Sequence, residues 1–195
     1  MDTRVADRPQ APAEIRSWEV DFGPLLTSKT GVTVSSATAT HTPPSGSALT
    51  PTVLSVTTNV ALVRLPAFAV GAIADGHFLD VLATCSNSEI LHVRLVFNVA
   101  YLVVTSPLNP STSETFQFDF DYNNDLRSGV TISSAAFTLT LPSGTTSAPS
   151  AGTIASGIVP VSITPTVKGV QTLDGLATLS DGDKSAIRLK YTVSV

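Results

Sequence analysis

Apolar residues alternate with hydroxyl residues along several short runs of the chain. Val32-Thr33-Val34-Ser35 and Ala37-Thr38-Ala39-Thr40 do so in the first half, Val130-Thr131-Ile132-Ser133 and Phe137-Thr138-Leu139-Thr140 in the second. A period of two places one set of side chains on each face of an extended backbone, so these runs predict strands with one buried and one wet face. His92 to Val99 and Ile187 to Val193 read as closing strands. Each follows a turn, at Ser86-Asn87-Ser88 and at Ser180-Asp181-Gly182-Asp183, where Asp-Gly is a strong hairpin signal. Pro43-Pro44-Ser45-Gly46 and Pro142-Ser143-Gly144 mark a further turn in each half. No stretch holds a 3.6-residue period with caps at both ends, so the expected class is all-β.

The pattern is duplicated. Shifted by 98 positions, Trp18–Gly46 matches Phe116–Gly144, with Asp21/Asp119, Phe22/Phe120, Gly31/Gly129, Ser35/Ser133 and Pro44/Pro142 among the identities. Shifted by 94, Leu82–Tyr101 matches Leu176–Val195, including Leu82-Ala83-Thr84 and Arg94-Leu95. Two ordered blocks at nearly one spacing describe a duplicated unit of just under about 100 residues, with about seven strands and turns every 8 to 12 residues. That is the size and rhythm of an immunoglobulin-like sandwich. The expected organisation is an N-terminal arm over 1–17, a sandwich over 18–104, a Pro-, Ser- and Thr-rich linker over 105–114 and a second sandwich over 115–195. The arm carries six charges (Asp2, Arg4, Asp7, Arg8, Glu14, Arg16) with Pro9 and Pro12. It reads either as a disordered tail or as an arm that orders on a partner.

Composition narrows the function. Charged residues are 13% of the chain, about half the usual share, while 43% are hydrophobic. A surface covered by Ser, Thr and Asn costs little charge desolvation when it meets a neighbour. The net charge is −4. Without a basic stripe interleaved with aromatics, no nucleic-acid partner is expected. The most apolar stretch, Asn59 to Ala74, is interrupted by Arg64 and Pro66 and is too short for a membrane span, so no membrane is expected. The N-terminus lacks an apolar signal-peptide core, and the chain is expected to be made in the cytoplasm of its cell. One cysteine, Cys85, permits no internal disulfide and reads as a small core residue.

The sequence implies no catalytic site and no cofactor. His41, His77 and His92 have no histidine partner at close sequence spacing, and Leu139 and Ala186 replace two of them in the second repeat. GxSxG, HExxH, P-loop and CxxC patterns are missing. Asp119, Asp121, Asn123 and Asp125 resemble the opening of a calcium loop. An EF-hand requires Gly and Glu where Asn124 and Val130 stand, so only a looser calcium site is open to these four residues, against the plainer reading of a strand running into an Asn/Asp turn.

Asp7-Arg8-Pro9, then Glu14 to Phe22 (EIRSWEVDF), then Gly31 to Ala37, resemble the start of small immunoglobulin-like virion proteins of tailed bacteriophages. Phe78 to Val99 resembles their end. The chain departs from them at Ala74-Asp75-Gly76-His77, where they carry a Gly-Gly pair, and in having a second domain. The resemblance implies a non-enzymatic virion protein, a capsid decoration (cement or head-fibre) protein. The arm and first domain would bind the shell. Its partners would be the major capsid protein or other virion proteins, and it would form a homo-oligomer in the particle. A neck or tail position, and a host-surface or glycan-binding module, are the alternatives.

Overall fold

The computed structural model describes residues 1–6, 9–69, 73–106 and 108–194. Asp7 and Arg8 of the opening motif, Pro107 of the expected linker and Val195 of the second repeat block lie outside the described residues. The chain divides into two compact units, Met1–Ala100 and Tyr101–Val195.

In unit 1 the strands are β1 (Asp2–Val5), β2 (Arg16–Asp21), β3 (Val34–Thr42), β4 (Thr52–Thr57), β5 (Val60–Leu65), β6 (Ala74–Cys85) and β7 (Ile90–Val99), with one helical turn, α1 (Gly23–Leu26). They form a sheet of order β1-β7-β6-β3 facing a sheet of order β2-β5-β4. Unit 2 holds β8 (Val103–Thr105), β9 (Phe116–Asp121), β10 (Ile132–Thr140), β11 (Thr146–Ser147), β12 (Ile158–Ile163), β13 (Gly169–Leu179) and β14 (Lys184–Val193), with a 3₁₀ turn at Asn123–Asp125. Its sheets run β11-β10-β13-β14-β8 and β12-β9. Both units are all-β immunoglobulin-like sandwiches, in which the last two strands form a hairpin at the centre of the larger sheet and the second strand crosses to the smaller one.

Alternation makes each core. Along β6, Leu79, Val81, Ala83 and Cys85 are buried, while Leu82 and Thr84 are exposed. Along β13, Leu173, Ala177 and Leu179 are buried beside Gly175. Each unit has its own cluster, one built around Phe22, Val63 and Leu79, the other around Phe120, Tyr122 and Leu173.

Three expectations are corrected. First, the described residues of 1–17 do not form an arm outside the sandwich. β1 pairs parallel with β7 from Asp2↔Val93 to Val5↔Val96, and Gln10 joins the same strand edge through its N–H to the Asn98 carbonyl (2.9 Å) and its carbonyl to the Ala100 N–H (3.1 Å). Gln10 and Glu14 are fully buried, and the Glu14 carboxylate accepts the Ala11 N–H at 2.8 Å. Backbone pairing at a sheet edge needs no apolar pattern, so a polar segment can still be a strand.

Second, unit 1 ends at Ala100, not near Val104. Val103–Thr105 is β8, which pairs parallel with β14, and Ser194 N–H donates to the Pro110 carbonyl. The expected linker is therefore the opening segment of unit 2, the counterpart of residues 1–15. Even its turn is repeated: Ser111 Oγ donates to Glu114 Oε2 where Ala11 N–H donates to Glu14.

Third, the register of the second strand differs from the 98-residue match. Asp21 lies opposite Val60 and Asp121 opposite Ile158. Phe22 N–H donates to Asn59, and Tyr122 N–H to Gly157. The structural partner of Asp21 is thus Asp121, and that of Phe22 is Tyr122, an offset of 100. The 98-residue offset resumes at Lys29 and Arg127, whose carbonyls accept Val32 and Val130. A slip of two residues keeps every side chain on its face, so the alternating pattern cannot detect it.

Candidate interaction surface

The outer face of the larger sheet carries a duplicated charge device. In unit 1 a cross-strand row runs Thr3, Arg94, Asp80, Thr40; in unit 2 the matching row runs Val103, Arg188, Asp174, Thr138. Arg94 grips Asp80 with two bonds, Nε to Oδ1 at 2.7 Å and Nη2 to Oδ2 at 2.9 Å. Arg188 grips Asp174 in the same way at 2.6 and 2.8 Å. His92 Nε2 lies 2.7 Å from Asp80 Oδ1. The hydrogen bond from Arg94, followed by that from His92, holds the Asp80 carboxyl below its ordinary range despite partial burial. The paired carboxylate correspondingly raises both arginines. Arg94 also lies over the Phe78 ring at 4.8 Å and Arg188 over Tyr101 at 3.6 Å.

Around the unit 1 row the surface is uncharged. Thr38, Thr40 and Thr42 on β3 are exposed, as are Val5 (79%), Ile90 (63%) and Leu82 (38%). β3 ends the sheet and has no Lys, Arg, Asp, Glu or Pro over Val34–Thr42. It thus lacks the charge and proline that commonly blunt an edge strand. A second duplicated device ties the loops: Lys29 Nζ pairs with Glu89 in unit 1, and Arg127 Nη2 with Asp181 (2.5 Å) and Asp183 (3.5 Å) in unit 2.

The four calcium candidates do not converge on one point. Asp121 Oδ1 accepts both the backbone N–H and the side-chain amide of Asn123, each at 2.9 Å, and Asn123 also donates to the Ser156 carbonyl at 3.0 Å. Asp119 accepts from the Gln117 side chain at 3.0 Å. Asp125 accepts the Ser185 hydroxyl. The equivalent Asp21 caps Gly23 N–H at 2.7 Å, so this Asx turn belongs to both repeats. Among the described residues no group of three or more His, Cys, Asp or Glu is placed to hold a metal.

Two histidines that look isolated in sequence meet in the core of unit 1. Leu49 N–H donates to His41 Nδ1 at 2.9 Å, and His41 Nε2 lies 3.0 Å from His77 Nδ1. In the neutral pair the His41 proton therefore sits on Nε2 and the His77 proton on its own Nε2, which has no hydrogen-bond partner among the described residues. The rings stack at 5.3 Å, with Phe68 edge-on to both. Burial, then the neighbouring His77, lowers His41 to about 4; burial lowers His77 as well. Cys85 is buried. No helix among the described residues is long and apolar enough to cross a membrane.

No family model matches the sequence, and no curated protein matches it. Among solved structures, the chain is similar to the Bacteroides ovatus mixed-linkage glucan utilization locus protein SGBP-B, at 12% identity over 96% of this chain and 43% of that one, with a TM-score of 0.31. The chain thus spans less than half of that protein. It is also similar to fibronectin(III)-like modules of Clostridium thermocellum CbhA (14%, 97% and 90% covered, TM-score 0.32) and to the extracellular portion of mouse CD200RLa (11%, 97% and 98% covered, TM-score 0.33). All three overlaps are low, and the immunoglobulin-like class of each unit rests on its own strand order and register.

Proposed function

We propose that the chain is a non-enzymatic structural protein of a tailed-bacteriophage virion, a decoration protein that binds the capsid shell through unit 1. The supporting observation is the outer face of the β1-β7-β6-β3 sheet. Its central charges are neutralised by a bidentate pair within the face, and its surroundings are threonine hydroxyls and exposed Val5, Leu82 and Ile90. Such a face loses water at lower cost than one carrying a lone ion, because Asp80 and Arg94 keep their bonds to each other. A stable protein contact buries about 1,200–2,000 Å² in total, a scale that a four-stranded sheet and its edge can supply. The opening segment takes part as strand β1, not as a free arm, and β3 offers a strand edge to a capsid subunit or to a neighbouring copy. The major capsid protein is the expected partner, and homo-oligomers form on the particle.

The test is co-sedimentation of the purified full chain with capsids that lack it, followed by imaging of the decorated particles. Stoichiometric binding, weakened at least tenfold by Thr38→Lys with Thr40→Lys, supports the reading. Density at the neck or tail would move the protein along the particle. Retention on immobilised glycans without any capsid binding would replace the proposal with a host-surface module.

A further inference from the structure

Among the described residues, strand β9 pairs with β12 and with no other strand. Pro160 fixes the direction of its backbone groups. Pro160 faces Asp119, has no N–H, and gives its carbonyl to Gly152 N–H at 2.7 Å, so it exchanges no bond with Asp119. Hydrogen-bonded and non-hydrogen-bonded pairs alternate in an antiparallel ladder. Gln117, Asp119 and Asp121 therefore all turn their N–H and C=O groups away from β12, towards the open edge. The bond from Tyr122 N–H to the Gly157 carbonyl fits the same alternation.

Beside this edge lies a groove of about 330 Å³ whose apolar lining is Leu102, Val104, Phe118, Phe120, Ile187 and Leu189. Leu102 and Val104 are 42% and 46% exposed. Asp119, Asp121 and Asn124 complete the lining. Asp119 and Asp121 sit two residues apart on the exposed face of β9, and their partners are amides; no cation among the described residues pairs with either. Unit 1 carries the same charge pattern, since the observed register sets Glu19 against Asp119 and Asp21 against Asp121. Two copies of this edge brought together would place four carboxylates on adjacent strands, which like-charge repulsion disfavours. A strand carrying cations at those positions is selected instead.

We propose that the open edge of β9 and its groove accept an extended strand of another protein, with apolar side chains at alternate positions and Lys or Arg between them. The incoming residues opposite Phe118 and Phe120 enter the groove. Those opposite Asp119 and Asp121 lie on the outer face and meet the carboxylates. The proposal goes beyond capsid binding by unit 1, and capsid co-sedimentation and peptide binding can each fail without the other.

The test uses the isotope-labelled full chain and the hexapeptide acetyl-Lys-Val-Lys-Val-Lys-Val-amide, with the Glu-Val counterpart as control. Amide shifts should concentrate at residues 117–121 and 102–104, with a Kd at least tenfold below that of the control. Asp119→Asn with Asp121→Asn, and separately Val104→Gln, should each raise the Kd at least fivefold while leaving the remaining spectrum unchanged. All three positions are exposed, so the fold tolerates these changes. Equal binding of the two peptides, shifts centred elsewhere, insensitivity to both variants, or no binding at millimolar peptide would each overturn the proposal.

Discussion

A Cβ atom on Gly175 would lie 2.6 Å from Tyr122 Oη, and 2.7 Å from Phe137 Cε1. Gly175 pairs with Phe137 across β13 and β10, whereas the equivalent position in unit 1 sets Val81 against Ala39. The two repeats thus fill one core layer in opposite ways, large against small and small against large. Gly175→Ala is expected to destabilise unit 2 by about 2–3 kcal/mol through overpacking. Denaturant titration measures it, and a loss under about 0.5 kcal/mol would refute this account of the layer.

Tyr122 carries a buried hydroxyl with no hydrogen-bond partner among the described residues, and burial raises its ionisation well above that of a free phenol. Removing an unsatisfied buried hydroxyl recovers its desolvation cost. Tyr122→Phe should therefore stabilise unit 2 by about 1 kcal/mol, and it should relieve part of the Gly175→Ala penalty in the double variant. A destabilised single variant would mean that the hydroxyl has a partner in solution.

Unit 1 should lose stability in mild acid through a histidine contribution that unit 2 lacks. The folded state holds His41 at about 4, well below a free imidazole near 6.5, so below that pH the unfolded chain binds the extra proton. The contribution is complete above about pH 6.5 and is lost as pH falls towards 4, by about 3 kcal/mol at most. Unit 2 contains no histidine. Amide exchange at pH 7 and pH 5 should show β3 and β6 losing protection while β13 and β14 change much less. Parallel losses in both units would remove the histidine pair as the cause.

Deleting Met1–Ala6 should weaken unit 1. The deletion removes the β1 pairing with β7 and the bond from Ala6 N–H to the Val96 carbonyl. A loss of about 2–3 kcal/mol follows if each backbone bond is worth about 0.5–1 kcal/mol net. A free tail would leave the melting temperature unchanged, so one melting curve separates the two descriptions.

Asp121→Ala should cost about 1 kcal/mol through the lost Asx-turn bonds to Asn123, equally in calcium and in chelator. A cost that appears only with calcium would reinstate a metal role for Asp119, Asp121, Asn123 and Asp125.

The period of two and the repeat made most of the strands and both sandwiches legible, because face-to-face burial writes directly into alternation. Three kinds of feature left no such mark. Parallel edge pairing by Asp2–Val5 and Val103–Thr105 is a backbone event, so polarity and prolines suggested an arm and a linker. The two-residue register shift between Asp119 and Asp121 is silent because both alignments bury the same faces. The contacts of His41 with His77, 36 residues apart, and of Asp80 with His92 and Arg94, arise from strand neighbours that only the sheet order reveals.

The parallel run of β1 beside β7, matched by β8 beside β14, governs how each unit resists a stretching force. When a unit is pulled by its two ends, its first and last strands slide past one another lengthwise. Their hydrogen bonds lie across the direction of load and must yield together, not one after another as in a peeled hairpin. Rupture under tension is a rate set by the barrier to unfolding. An edge strand of only three or four residues thereby acts as a mechanical clasp.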